Sequence, residues 1–150
     1  MQSTSPGTKG RILAIDYGAR KVGFAVSDGL GLTAQGLPTY RRGNKKADFD
    51  YLRRLIRQHG VTEIVVGLPL RMSGEEGIQA EKVRAFADEL RSRFKLPVHL
   101  FDERLTSVEA NRVLRETEMS IQRRAEVVDQ VAAVLILQSY LEFRKSSPQS

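Results

Sequence analysis

No cysteine occurs among the 150 residues. That excludes a disulfide framework, a thiol nucleophile and thiolate metal sites. The two histidines, His59 and His99, are too few for a multi-histidine zinc site and read as structural. Tryptophan is absent and aromatics reach only 7%, so stacking-based recognition of single strands has little support. No apolar run approaches the roughly 18 residues needed to cross a bilayer. The opening MQSTSPGTKG contains no hydrophobic segment of the signal-peptide kind. The expectation is a soluble cytoplasmic protein.

What is present is a globular composition, 41% hydrophobic and 28% charged. A chain this long buries roughly 70% of the surface its unfolded form exposes, enough for a real core. Lys and Arg number 24 against 18 acidic residues, a net charge of +6 that suits a polyanionic partner. Residues 1–10 and 144–150 are rich in small and polar types and read as a flexible lead and a flexible tail. One domain is expected over residues 11–143, with no repeat and no linker.

RILAID (Arg11 to Asp16) is a short apolar run without helical spacing and reads as a central strand. VGFAVSD (Val22 to Asp28) alternates, and the five residues Tyr17 to Lys21 between them, with Gly18, predict a hairpin. A third strand is expected within Leu32 to Arg42. Phe49, Leu52, Leu55 and Ile56 form a helical stripe over Asp48 to His59, stopped by Gly60. Glu63 to Leu68 is a strand and Val83 to Phe94 marks a long amphipathic helix. Pro97 to Glu103 is the fifth strand. Thr106 and Glu109 fit a capping box that opens a helix over Ser107 to Glu116. A last helix covers Ala125 to Phe143. The order predicts an α/β fold: a mixed five-stranded sheet, three antiparallel strands and then parallel ones, with helices on its faces.

The carboxylates fall where such sheets collect ligands, at the carboxyl ends of strands. Asp16 ends the first strand and Glu103 the fifth. Asp129 lies in the first turns of the last helix, one turn before Ala132 and Ala133, whose small size lets a helix approach a sheet closely. Strand alternation allows only one of Asp102 and Glu103 to join Asp16. Three clustered carboxylates attract a hard cation, Mg²⁺ or Mn²⁺, and two such ions about 4 Å apart support in-line phosphoryl displacement. Each residue also has a plainer reading. Asp16 alone reads as a turn residue, Asp102 or Glu103 as a surface partner of Arg104, and Asp129 as a partner of Arg123 or Arg124. Glu126 competes as the third acid. The basic groups Arg20/Lys21, Arg41/Arg42 with Lys45/Lys46, Arg53/Arg54 and Arg123/Arg124 read individually as solvated faces. The ordered set is what carries the signal.

AIDYGARKVGFAVSD (Ala14 to Asp28), IVVGLPLRMSG (Ile64 to Gly74), FDERLTSVEA (Phe101 to Ala110) and VDQVAAVLILQSYL (Val128 to Leu141) together resemble the YqgF-like bacterial family of pre-16S rRNA nucleases and Holliday junction resolvases. The resemblance spans the whole core. It implies an RNase H-like fold and a metal-dependent endonuclease, with Asp16, Glu103 and Asp129 as catalytic acids and ligands of a two-ion Mg²⁺ or Mn²⁺ site. Arg20, Lys21 and Arg104 would then touch flanking phosphates, and Gly18 and Gly23 would let the backbone approach the substrate. Gly67-Leu68-Pro69 matches a family feature at the edge of the site.

The expected partners are nucleic acid, either precursor rRNA with the ribosome or its precursors, or four-way DNA. Cutting a junction needs two active sites, hence a homodimer, whereas rRNA processing permits a monomer. Two rivals have other bases. Asp16-Tyr17-Gly18 with Gly23 also resembles the phosphate loop of actin- and sugar-kinase-like ATPases, but those enzymes need two such domains. A non-catalytic RNA-binding assembly factor would use the basic surface alone.

Overall fold

The computed structural model describes residues 10–106 and 122–146, with side chains described over 10–106 and 130–145. Its elements are β1 (Arg11–Tyr17), β2 (Lys21–Ser27), β3 (Ala34–Arg41), α1 (Lys45–His59), β4 (Val61–Leu68), α2 (Ile78–Phe94), β5 (Val98–Asp102), a 3-10 turn (Glu103–Leu105) and α3 (Gln122–Ser146). The expected helix over Ser107 to Glu116 lies outside the described residues.

One sheet holds all five strands in the order β3-β2-β1-β4-β5. β1 pairs antiparallel with β2, and β2 with β3. β1 pairs parallel with β4, and β4 with β5. The mixed sheet expected from the sequence is therefore present. β1 lies at its centre and is buried on both faces from Ile12 to Asp16, which explains its near-continuous apolar run.

Alternation along β1 divides the core into two layers. Leu13 and Ile15 face α1 and α2, packing with Phe49, Leu52, Val83, Phe86 and Leu90. Ile12 and Ala14 face α3, packing with Ala132, Ala133, Ile136 and Leu137. Ala132 and Ala133 are fully buried, so their small side chains set the close approach of α3.

Element boundaries moved where a polar residue, not an apolar one, decides them. α1 begins at Lys45 rather than Asp48, because the Asn44 side chain accepts a hydrogen bond from the Ala47 backbone N–H at 2.8 Å. Asn44→Ala should cost about 1 kcal/mol of stability, the usual worth of such a cap, readable by urea denaturation. The β1–β2 loop is shorter than expected, because Tyr17 still pairs with Val22. At the other end, α3 runs past Phe143 to Ser146, into the segment expected as a flexible tail. Its anchor is Glu63, whose carboxylate accepts hydrogen bonds from Tyr140 at 2.6 Å and Arg144 at 2.8 Å.

Candidate active site

Asp16 and Glu103 are buried, with 4% and 1% of their surface exposed. Both stand on the α3 face at the carboxyl end of the sheet. Asp16 shares that face with Ala14 two residues earlier. Glu103 follows the last residue of β5 and opens the 3-10 turn. Its carboxylate lies over Gly67 of β4, beside Ile136 of α3. A Cβ placed on Gly67 would stand 2.6 Å from Glu103 Oε2 and 2.6 Å from Ile136 Cδ1. Glycine is thus required there by the acid that lies above it.

The neighbours of Asp16 on both adjacent strands are glycines. Gly23 is its registered partner in β2. Gly67 follows Val66, the partner of Ile15, in β4. Neither strand neighbour therefore sets a side chain of its own beside the carboxylate; the space over Gly67 is taken by Glu103 and Ile136.

Asp102 does not join this group. It accepts hydrogen bonds from Arg104 Nε at 3.1 Å and Nη2 at 2.7 Å, and from the Arg104 backbone N–H at 2.9 Å. The Arg104 side chain holds its carboxyl below the usual carboxylate range. Arg104 also donates to the Met72 carbonyl at 3.3 Å, tying the β4–α2 loop to the end of β5. Its guanidinium is thus committed within the protein, the plainer of its two sequence readings.

Gly18 serves the hairpin. Its N–H donates to the Lys21 carbonyl at 3.0 Å, and a Cβ at Gly18 would stand 2.6 Å from that same oxygen. Arg20 is exposed and Lys21 half-buried. Arg42, expected only as part of a basic patch, clips the hairpin through the Gly18 and Ala19 carbonyls at 2.9 and 3.1 Å and sits 4.5 Å above the Tyr17 ring. Gly23 is buried within β2.

Asp129 belongs to the backbone of α3, but its side chain lies outside the described residues, as does all of Glu109 and the side chain of Glu126. Among the described residues, no group of three or more histidine, aspartate and glutamate side chains is arranged to hold an ion. Asp16 and Glu103 are two of the three expected oxygen donors. Thr106 closes the 3-10 turn, its hydroxyl donating to the Glu103 carbonyl at 2.9 Å.

A cleft of about 560 Å³ opens on the other face of the sheet, between Tyr17, Tyr40, Phe49, Gln79 and Phe86. Neither buried acid lines it. The acids and the cleft therefore lie on opposite faces of the sheet. No helix among the described residues is long and apolar enough to cross a membrane.

This strand order, with its central acid-bearing strand and helices on both faces, is the RNase H-like fold. Solved structures agree on the fold. Thermus thermophilus RuvC in complex with a Holliday junction substrate superposes with a TM-score of 0.53 over 93% of this chain and 99% of that one, at 14% identity. The Fowlpox virus resolvase gives 0.50 over 89% and 97%, at 10% identity. Sequence comparison is more particular. The family model described as "RuvX: Holliday junction resolvase" matches residues 10–143. A Koribacter versatilis protein named "Putative pre-16S rRNA nuclease" is 61% identical over 135 residues, 90% of this chain and 88% of that protein. A Moorella thermoacetica protein of the same name is 56% identical over 132 residues, 88% of this chain and 94% of that one. The chain belongs to the RuvX family.

Proposed function

We propose that the chain is a divalent-metal-dependent endonuclease that hydrolyses nucleic-acid phosphodiesters, with precursor 16S rRNA as its substrate in the cytoplasm. The observation that carries this reading is the pair of buried carboxylates, Asp16 and Glu103, on one face at the carboxyl end of the sheet. Two acids buried together repel, and an all-oxygen donor set suits a hard cation better than a histidine or thiolate site would. Mg²⁺ or Mn²⁺, as one ion or two, fits those donors.

In this reading Asp16 and Glu103 hold the metal, and Asp129 completes the set. By helical spacing position 129 falls on the stripe of Ala132, Ala133 and Ile136, which packs on the same sheet face. When bound, such ions activate water and neutralise charge on the phosphoryl oxygens in an in-line displacement that leaves a 5′-phosphate and a 3′-hydroxyl. The rest belongs to the chain. Gly23, registered opposite Asp16, sets no side chain beside its carboxylate, and Gly67 gives the Glu103 carboxylate its seat. Arg20 and Lys21, at the tip of the hairpin, face flanking phosphates. Arg104 holds the loop at the edge of the site and does not enter the substrate contacts.

The RNA substrate is supported by the names of relatives 61% and 56% identical to the chain. The family description favours a second reading, a four-way DNA junction, which would require a homodimer presenting two sites. A cleavage panel separates them: precursor 16S rRNA, a four-way junction and unrelated single-stranded RNA, each with Mg²⁺, Mn²⁺ or EDTA. Cleavage of the precursor at its 5′ side with either metal and none in EDTA is expected. Symmetric junction cutting without action on the precursor would favour the second reading. Salt-sensitive RNA binding with no cutting of any substrate would leave an assembly factor.

A further inference from the structure

β2 and β3 carry an arrangement that folding alone disfavours. Their register sets Lys21 directly opposite Arg41. Like charges facing each other across an antiparallel pair are destabilising. Neither side chain forms an ion pair among the described residues. Nearby cations are treated differently: Lys45 is paired with Glu89 at 3.1 Å, Lys46 with Asp50 at 3.0 Å, and Arg42 has Asp48 at 3.8 Å. Val22 and Tyr40, between these cations and the bulge, belong to the α1 and α2 face. Alternation therefore puts Lys21 and Arg41 on the opposite face, the one that carries Asp16.

The register of β3 slips beside them. Val22 pairs with Tyr40 but Phe24 with Leu37, so Pro38 and Thr39 together oppose Gly23. This is a β-bulge, a device that re-aims side chains near functional sites. It sets Thr39 in the row of Asp16, with only Gly23 between them. Thr39 Oγ1 is the buried side-chain polar atom that, among the described residues, has no hydrogen-bond partner. Rotation about χ1 exchanges a threonine hydroxyl with its methyl, so the group can be turned toward a ligand.

We propose that Lys21, Arg41 and Thr39 form a seat for a backbone phosphate of the nucleic-acid strand, on the face of Asp16 and two strands away from it in the row through Gly23. The proposal rests on the nuclease reading and names where the strand lies. From strand spacings, the seat is on the order of 10 Å from Asp16. That is about three nucleotides at 3.4 Å of rise each. Two unlike donors, an ammonium and a guanidinium fork, with a neutral hydroxyl, suit a phosphate oxygen group better than a base edge.

The test is fluorescence anisotropy of a labelled 12-nucleotide single-stranded RNA titrated with the full chain in EDTA, so that binding is read without cleavage. Lys21→Ala/Arg41→Ala is compared with Arg57→Ala/Lys82→Ala, which removes the same charge from exposed helix positions. The first pair should weaken binding by about tenfold or more and lower the salt slope by about 0.7 to 1.4, the share of one to two phosphate contacts. The second should change neither beyond a general charge effect. Thr39→Val keeps the shape and removes the orphan hydroxyl. It should weaken binding about threefold while leaving Tm unchanged or raised, a combination that a purely structural threonine would not produce. Equal losses in the two double variants overturn the seat. Thr39→Val binding as tightly as the unmodified chain removes Thr39 from it. If the unmodified chain binds no nucleic acid at all, the nuclease reading falls too. If cleavage depends on Asp16 but the double variants bind alike, the seat alone falls.

Discussion

Asp16→Asn should reduce metal-dependent cleavage about 10³-fold or more while the chain stays folded. The substitution is nearly isosteric, so it removes charge and not volume. Asp16 is 4% exposed on the central strand, and it shares its face with the buried Glu103. A neutral amide there still accepts one hydrogen bond but no longer attracts a divalent ion. An ion in this position would supply several kcal/mol of transition-state stabilisation. At about 1.4 kcal/mol per tenfold, losing about 4 kcal/mol gives the stated factor. The near-isosteric amide should leave Tm in metal-free buffer within a few degrees of that of the unmodified chain. Cleavage of precursor rRNA with Mg²⁺, circular dichroism and a thermal melt in EDTA measure all three quantities. Undiminished metal-dependent cleavage by a folded Asp16→Asn chain would refute the role of Asp16 and the ligand set built on it.

The parts of this fold that were legible in the sequence are those governed by short-range periodicity. An unbroken apolar run marked β1 as central, and its alternation with Val22, Phe24 and Val26 marked the hairpin. The same period-two rule separated Asp102 from Glu103, and the structure sets Asp102 on Arg104 and Glu103 over Gly67. What escaped depends on partners distant in the chain. Gly67 is marked in the sequence only through the family resemblance of Gly67-Leu68-Pro69, and its physical reason appears when Glu103, 36 residues later, is laid across it. Arg41 reads as one member of a basic cluster until the register puts it opposite Lys21. The bulge at Pro38 and Thr39 leaves only an interrupted pattern in the sequence. The extent of α3 was missed for a similar reason, since Tyr140 and Arg144 are fixed by Glu63 in β4. Apolar spacing reports which face is buried. It does not report which polar group waits on the neighbouring strand.

Gly67→Ala should disable the enzyme through one methyl group. Two effects oppose each other. Alanine restricts the unfolded chain, which favours the folded state by about 0.4–1 kcal/mol where the backbone is compatible. Gly67 is not among the glycines with positive φ, so that gain applies. Against it, the new Cβ would stand 2.6 Å from both Glu103 Oε2 and Ile136 Cδ1, closer than real Cβ contacts allow. Forcing volume into a packed position costs about 1–3 kcal/mol. The clash should win by about 1–2 kcal/mol, lowering Tm by a few degrees for a chain of this size. The larger effect is on activity. Ile136 and Glu103 are both fully buried and both 2.6 Å from the added Cβ, so the Glu103 carboxylate must shift along with the isoleucine methyl. A displacement of about 1 Å at a reacting centre costs about 10²-fold in rate. Gly36→Ala supplies the contrast, because its Cβ would meet the flexible end of Gln130 at 3.2 Å and should be tolerated. Thermal melts and cleavage rates over a Mg²⁺ titration on the two variants decide the matter. A loss of rate in Gly67→Ala that rising Mg²⁺ partly restores is expected, since a displaced ligand weakens affinity before it abolishes binding. Normal cleavage in a fully stable Gly67→Ala chain would mean that the position of Glu103 above Gly67 is immaterial to the chemistry. Glu103 would then lose its place beside Asp16 in the proposed metal site.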